Sequence, residues 1–217
     1  QFRKNLVDKL LLMQHNSIQP TLQGEQHPTI PQSSMQQQPI NKAQTSRFYL
    51  DVPSPLGTLR LESNGEALTA LHFEDTKAVH TTTVAWHEAP QLPLFKEVQT
   101  WLERYFGGQD PGKRPPLRPQ GTAFQQAVWQ QLLAIPHAQT TTYGALAAHL
   151  AKQNASGRMS AQAVGQAVGS NPISIIIPCH RVIGANGALT GYAGGLKKKA
   201  FLLNVERGSI SPPKAYE

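Results

Sequence analysis

The chain has 217 residues, 39% of them hydrophobic and 15% charged, with a formal net charge of +7. No apolar run reaches the ~18–20 residues that span a bilayer, which excludes an integral membrane protein built on spanning helices. The single cysteine excludes an internal disulfide framework and a multi-cysteine zinc site, and it fits a reducing compartment.

Residues 1–13 place Phe2, Leu6, Val7, Leu10 and Leu11 at helical spacing. Residues 14–46 hold nine Gln and four Pro. Such a stretch buries too little apolar surface to offset its ordering entropy, so 1–46 reads as a disordered or partly helical extension. The chain begins at Gln1 rather than Met, as a fragment or a processed form does. No basic–apolar–small secretory signal is present.

From Arg47 the pattern alternates. Phe48–Val52, Thr58–Ser63 and Ala67–Phe73 read as strands parted by turns at Pro55-Leu56-Gly57 and Asn64-Gly65, forming an antiparallel meander. Leu94, Phe95, Val98, Trp101, Leu102, Tyr105 and Phe106 mark one face of a helix that Gly107-Gly108 ends. Residues 107–120 form a Pro/Gly/basic linker, which separates a small α+β domain (47–120) from a helical domain (121–208) and a tail (209–217).

In the second domain Thr122 is the expected N-cap of a helix through Phe124, Val128, Leu132 and Leu133. Thr140–Thr142 cap a second helix, Tyr143–Leu150, and Ser160 caps a third, Ala161–Val168. Two short helices joined by a turn suggest a helix-turn-helix. The third is nearly bare: Ala161, Ala163, Gly165, Ala167 and Gly169 allow either tight helix packing or close approach to a partner. Ile173–Ile177 reads as a buried strand, and a helix spans Leu196–Val205. The overall class is α+β.

Charge is distributed unevenly. Between Asp110 and Glu206 there is no acidic residue, while Lys113, Arg114, Arg118, Lys152, Arg158, Arg181, Lys197, Lys198 and Lys199 are all positive. A surface of that kind attracts polyanions, nucleic acid foremost.

The chemistry concentrates at Pro178-Cys179-His180-Arg181. A thiol becomes a strong nucleophile as the thiolate, which a nearby base or positive field supplies. A neutral histidine acting as base needs an acceptor on its other nitrogen. After Asp110 only Glu206 and Glu217 are acidic, and Glu217 ends the chain, which leaves Glu206 as the orienting carboxylate. On an extended segment Cys179 and His180 would point apart, so a bridging water joins them. The Gly191-Tyr192-Ala193-Gly194-Gly195 run matches neither a P-loop nor a dinucleotide fingerprint. The histidines are scattered, so neither metal nor cofactor is implied.

At Ile177-Pro178-Cys179-His180-Arg181-Val182 the chain resembles the O6-alkylguanine-DNA alkyltransferase family, the methylated-DNA–protein-cysteine methyltransferases. The resemblance runs from about Ser46 to Glu206. It includes Gly121-Thr122-Ala123-Phe124-Gln125, Val128-Trp129, Ile135-Pro136, Thr142-Tyr143-Gly144, Ala163-Val164-Gly165, Ser170-Asn171-Pro172 and Gly191-Tyr192-Ala193-Gly194-Gly195. It implies an RNase H-like sheet domain followed by a helix-turn-helix domain.

The resemblance also implies a single-turnover repair reaction on double-stranded DNA, with O6-alkylguanine, and O4-alkylthymine as a second substrate, flipped out of the helix. Cys179 would keep the alkyl group, His180 would act as base through a water, Glu206 would orient His180, and Asn171 would brace the network. Tyr143 would donate to the departing guanine. The carbonyls of Cys179 and Val182 would read the exocyclic amine, and the amide of Ala193 would face O6. DNA or substrate contacts are implied at Ala161, Gln162, Ala163, Arg181, Val182, Tyr192, Ala193 and Lys199, with the bare helix in the minor groove. Gln162 stands where many relatives carry an arginine, and His137 where many carry a glycine.

The same resemblance implies a monomer without cofactor, in the cytoplasm of a bacterium or the nucleus of a eukaryote. Two alternatives are a non-catalytic damage binder, which would carry another residue in place of Cys179, and the C-terminal part of an adaptive-response regulator, for which 1–46 is too short a partner domain. A thiol hydrolase would differ by turning over repeatedly.

Overall fold

The computed structural model describes residues 46–76, 85–153 and 157–209; the expectations for 1–45 and for the end of the tail lie outside the described residues. The first half is a four-stranded sheet: β1 (Arg47–Val52), β2 (Leu59–Ser63), β3 (Leu68–Phe73) and β4 (Trp86–Glu88), in the order β3-β2-β1-β4. The meander β1-β2-β3 is antiparallel, but β4 adds to β1 in parallel, a strand too short and too polar to stand out in the sequence. Gly57 and Gly65 occupy the first two turns at φ 92° and 98°, the left-handed region that glycine adopts without a Cβ clash.

Helix α1 (Pro93–Phe106) opens with proline at its first position and packs Leu94, Phe95, Val98, Trp101, Leu102 and Tyr105 inward. The free edge of β3 is closed by two segments from further along the chain. Leu68 N–H donates to Pro116 O (2.9 Å) and its carbonyl accepts from Arg118 N–H (2.8 Å). Leu71 exchanges the same pair of bonds with Pro172 O (2.9 Å) and Ser174 N–H (2.8 Å). These bonds cover an edge that would otherwise pair with another chain, and they fix residues 172–174 just ahead of the cysteine.

In the second half, α2 (Ala123–Leu133) starts on a capping box: Thr122 Oγ1 accepts from Gln125 N–H (3.2 Å), and Gln125 Oε1 accepts from Thr122 N–H (2.8 Å). Helices α3 (Tyr143–Gln153) and α4 (Ala161–Gly169) follow, with Ser160 capping α4. The short parallel pair β5 (Thr141–Thr142) and β6 (Val182–Ile183) ties the start of α3 to the residues just past the cysteine. Helix α5 (Leu196–Glu206) closes the fold.

Two expectations are corrected. Ile173–Ile177 is no strand. After its single bridge to Leu71 the chain coils back, with Ile177 N–H donating to Ile173 O (3.1 Å). Ile175 sits at φ 68°, a costly conformation for a β-branched residue, of order 1–3 kcal/mol. Cys179–Arg181 is then a 3-10 turn, not an extended segment.

Candidate active site and DNA-facing surface

Cys179 lies at the start of the 3-10 turn and is buried. Asn171 Nδ2 donates to its Sγ (3.1 Å) and to Ile177 O (2.8 Å), while Asn171 Oδ1 accepts from Ile173 N–H (3.0 Å). Asn171 thus clips the coiled segment and the thiol together; its contact is with the sulfur, not with the histidine pair. Burial pushes the thiol pKa up, against the opposing pull of Asn171 and of the Lys199 charge. The resting group is a thiol that needs a base.

His180 and Glu206 are the buried pair beside it. Nε2 of His180 lies 2.6 Å from Glu206 Oε1. Glu206 also accepts from Arg181 Nε (2.9 Å to Oε2), Arg181 Nη2 (3.0 Å), the Tyr105 hydroxyl (2.9 Å) and Ala138 N–H (3.1 Å). Burial alone would raise the Glu206 pKa, but His180 and Arg181 hold it well below the usual carboxylate range. Burial lowers the His180 pKa, helped by the Arg181 and Lys199 charges and opposed by Glu206. The outcome is an anionic carboxylate and a neutral imidazole, with its proton on Nε2. Nδ1 is buried and has no hydrogen-bond partner among the described residues.

Arg181 and Lys199, expected on the DNA, face inward. Arg181 is 5% exposed, grips Glu206 and donates to Ile135 O (2.7 Å). Lys199 is fully buried; its Nζ donates to Val182 O (2.5 Å) and Thr190 O (2.6 Å), pinning the loop after β6. The Val182 carbonyl expected to read the base is therefore already engaged by Lys199, although a carbonyl oxygen has a second lone pair. The physical reason is common to both: each cation neutralises acceptors that the fold buries. Lys198 pairs with Asp75 (2.5 Å), and Arg114 donates to Leu133 O (2.9 Å). Much of the acid-free stretch's positive charge is thus spent inside the fold.

The Tyr143 hydroxyl donates to Thr190 O (3.2 Å), and burial pushes its pKa up. Tyr192 meets Phe73 and His180 edge-on, at 6.2 and 6.5 Å between ring centroids. Ala193 is exposed. On α4, Val164, Ala167 and Val168 pack inward, and Trp129 Nε1 donates to Ala167 O (2.8 Å). Ala161, Gln162, Gln166 and Gly169 are exposed, and Ala163 is half-buried. A Cβ on Gly165 would stand 3.7 Å from the Tyr143 ring. The inner face of this helix therefore packs, while its outer face presents small residues beside Gln162 and Gln166.

His137 causes no loss of the turn. The left-handed residue is Ala138, at φ 60°, and this is what aims its N–H at Glu206. Tyr105 and this amide are members of the network that sequence patterning missed. Tyr105 falls on the apolar stripe of α1, four residues after Trp101, and nothing in its spacing marks it as polar in role.

Two family models match consecutive stretches: the ribonuclease-like domain of 6-O-methylguanine DNA methyltransferase over residues 48–119, and its DNA-binding domain over residues 123–208. A methylated-DNA–protein-cysteine methyltransferase of Haemophilus influenzae is 46% identical over 164 residues, spanning 75% of this chain and 88% of that protein. One from Methanosarcina acetivorans is 42% identical over 159 residues, spanning 73% and 97%. The crystal structure of Mycobacterium tuberculosis OGT in complex with DNA superposes with a TM-score of 0.66 at 40% identity, covering 75% of this chain and 94% of that one. With both halves matched in order and identity above 40% across nearly whole relatives, the chain belongs to the 6-O-methylguanine DNA methyltransferase family, the methylated-DNA–protein-cysteine methyltransferases.

Proposed function

We propose that Cys179 is the residue on which this chain carries out its family's single-turnover DNA repair reaction, with O6-alkylguanine in double-stranded DNA as substrate. Sγ attacks the alkyl carbon, a carbon–sulfur bond forms, and the carbon–O6 bond breaks with its electron pair leaving on guanine. The thiol proton passes through one water to Nδ1 of His180. Glu206 holds the Nε2 proton and stabilises the imidazolium that results. The hydroxyl of Tyr143 turns from Thr190 O to the departing guanine and donates a hydrogen bond that stabilises its anion, which then takes a proton from water. Asn171 holds the sulfur. The thioether is not hydrolysed, so each molecule acts once.

The single observation that carries this is the buried thiol held by Asn171 beside a neutral His180 whose proton is fixed by Glu206. Ala161, Gln162 and Ala163 on α4 are the groove contacts, supported by the exposure of Ala161 and Gln162 and the partial exposure of Ala163. Tyr192 and Ala193 wall the base pocket. The chain is taken to act as a monomer. Residues 47–120 and 121–208 act as the two domains, and a reducing compartment such as the cytoplasm suits a free nucleophilic thiol. Among the described residues no helix is long and apolar enough to cross a membrane. The test is Cys179→Ala: transfer from alkylated duplex to protein is lost while duplex binding survives. Transfer that persisted in that variant would remove Cys179 from its role.

A further inference from the structure

We infer that Tyr105, supplied by α1 of the sheet half, is a positioning residue for the reaction: its hydroxyl holds Glu206 Oε1, so that the imidazole of His180 keeps its proton on Nε2 and leaves Nδ1 as the base. The inference rests on His180 being that base. The hydroxyl donates to Oε1 over 2.9 Å and lies 3.2 Å from Nε2 of His180. It therefore reaches both members of the pair, at the Glu206 oxygen that His180 and Arg181 also hold.

The ring is fixed independently of the hydroxyl. It stacks on Trp101 (5.5 Å between centroids, 9° between planes) and meets Phe106, His137 and His180 edge-on. Burial, with Glu206 adding to it, pushes the phenol pKa well above its ordinary value, so the hydroxyl always donates. A donor to Oε1 spreads the carboxylate's charge and weakens its hold on a second imidazole proton. The groups facing His180 are then balanced. Glu206 favours its protonated form, Arg181 and Lys199 oppose it, and the Tyr105 hydroxyl moderates Glu206. The rings of Tyr105 and Tyr192 close two sides, with His137 behind Tyr105.

A helix of the sheet half thus completes a site otherwise built in the helical half, where the only cysteine lies. Tyr105→Phe removes the hydroxyl and keeps the stack. The single-turnover rate of alkyl transfer to Cys179 is followed against pH in the wild type, Tyr105→Phe and Trp101→Phe. Trp101→Phe disturbs the same stack without touching the hydroxyl, and it is expected to lower Tm with the acid limb of the profile unmoved. Tyr105→Phe is expected to slow transfer about tenfold, the scale of a hydrogen bond to a charged group, and to move the acid limb to higher pH. An unchanged rate and limb in Tyr105→Phe, or a slowing with the limb in place as in Trp101→Phe, would overturn the assignment. A wild type that fails to alkylate Cys179 would instead overturn the catalytic roles on which the assignment rests.

Discussion

Arg181 clamps Glu206 with three hydrogen bonds of 2.9 to 3.1 Å, with the carboxylate fully buried and the guanidinium nearly so. A buried ion pair offsets its desolvation cost only when every polar atom is satisfied, and here Ile135 O, Tyr105, His180 and Ala138 N–H complete the set. Arg181→Ala leaves Glu206 uncompensated and is expected to cost about 3–5 kcal/mol in urea unfolding. Arg181→Lys cannot reproduce the planar fork and is expected to lose part of that. The salt slope of duplex binding by the folded fraction of Arg181→Gln, which removes the charge, should match wild type. A smaller slope in Arg181→Gln with stability intact would return Arg181 to the DNA surface.

The pH dependence follows from the same network. The folded pKa of His180 lies below the ordinary 6.5, so its contribution to stability is fully present above about pH 6.5 and is lost as pH falls from there toward its folded value. Glu206, also lowered, contributes above its ordinary 4.5 and loses that contribution in stronger acid, so both slopes have the same sign. Unfolding free energy measured from pH 8 down to pH 4 should therefore fall. The transfer rate should show an acid limb below about pH 6.5. In His180→Gln that limb should vanish, leaving a slow rate that climbs with pH toward and beyond 9, the ordinary thiol value above which burial has raised Cys179. A rate independent of pH in both proteins would exclude His180 as the base.

Cation by cation, the lysines of α5 should behave differently. Lys197 is exposed, whereas Lys199 is fully buried and holds two carbonyls. Lys199→Ala is expected to destabilise the fold and loosen the loop carrying Tyr192. Lys197→Ala should leave Tm within a degree or two of wild type and reduce the log–log salt slope of duplex binding by no more than about 0.9, the contribution of one phosphate. Equal effects of the two substitutions on that slope would contradict their placement.

Gln162 stands exposed in the first turn of α4. A side chain that fills the gap left by a flipped base stabilises the flipped state, and arginine adds a charge and a stacking plane that glutamine lacks. Gln162→Arg is expected to speed single-turnover repair of alkylated duplex severalfold and leave the reaction with free O6-benzylguanine unchanged. Parallel changes in both rates would place Gln162's effect on the cysteine pocket or on stability.

Much of this was legible in the residues alone, for reasons that differ by position. Cys179, His180 and Glu206 stood out because the cysteine is single and acidic residues are absent from 111 to 205, so elimination found the pair. The caps Thr122 and Ser160 followed from local chemistry, and so did the helices behind them. Ile173–Ile177 reads as a strand because four buried isoleucines around Ser174 look alike in a strand or in a coil; the bonds that decide come from Asn171 and Leu71, outside the run. Arg181 and Lys199 were misread because a positive side chain is the same letter whether it faces phosphate or a buried carbonyl. Tyr105 was hidden by the opposite ambiguity, an apolar ring at a core position with its one polar atom turned to a carboxylate 101 residues away.

The most direct test is the intact mass of the full chain after mixing with excess O6-methylguanine duplex. The expected result is a gain of one methyl per molecule, mapped by peptide analysis to Cys179, with no further gain on longer incubation and none in Cys179→Ala. Duplex binding without any gain in mass, or continued demethylation beyond one equivalent of protein, would contradict single-turnover transfer to Cys179.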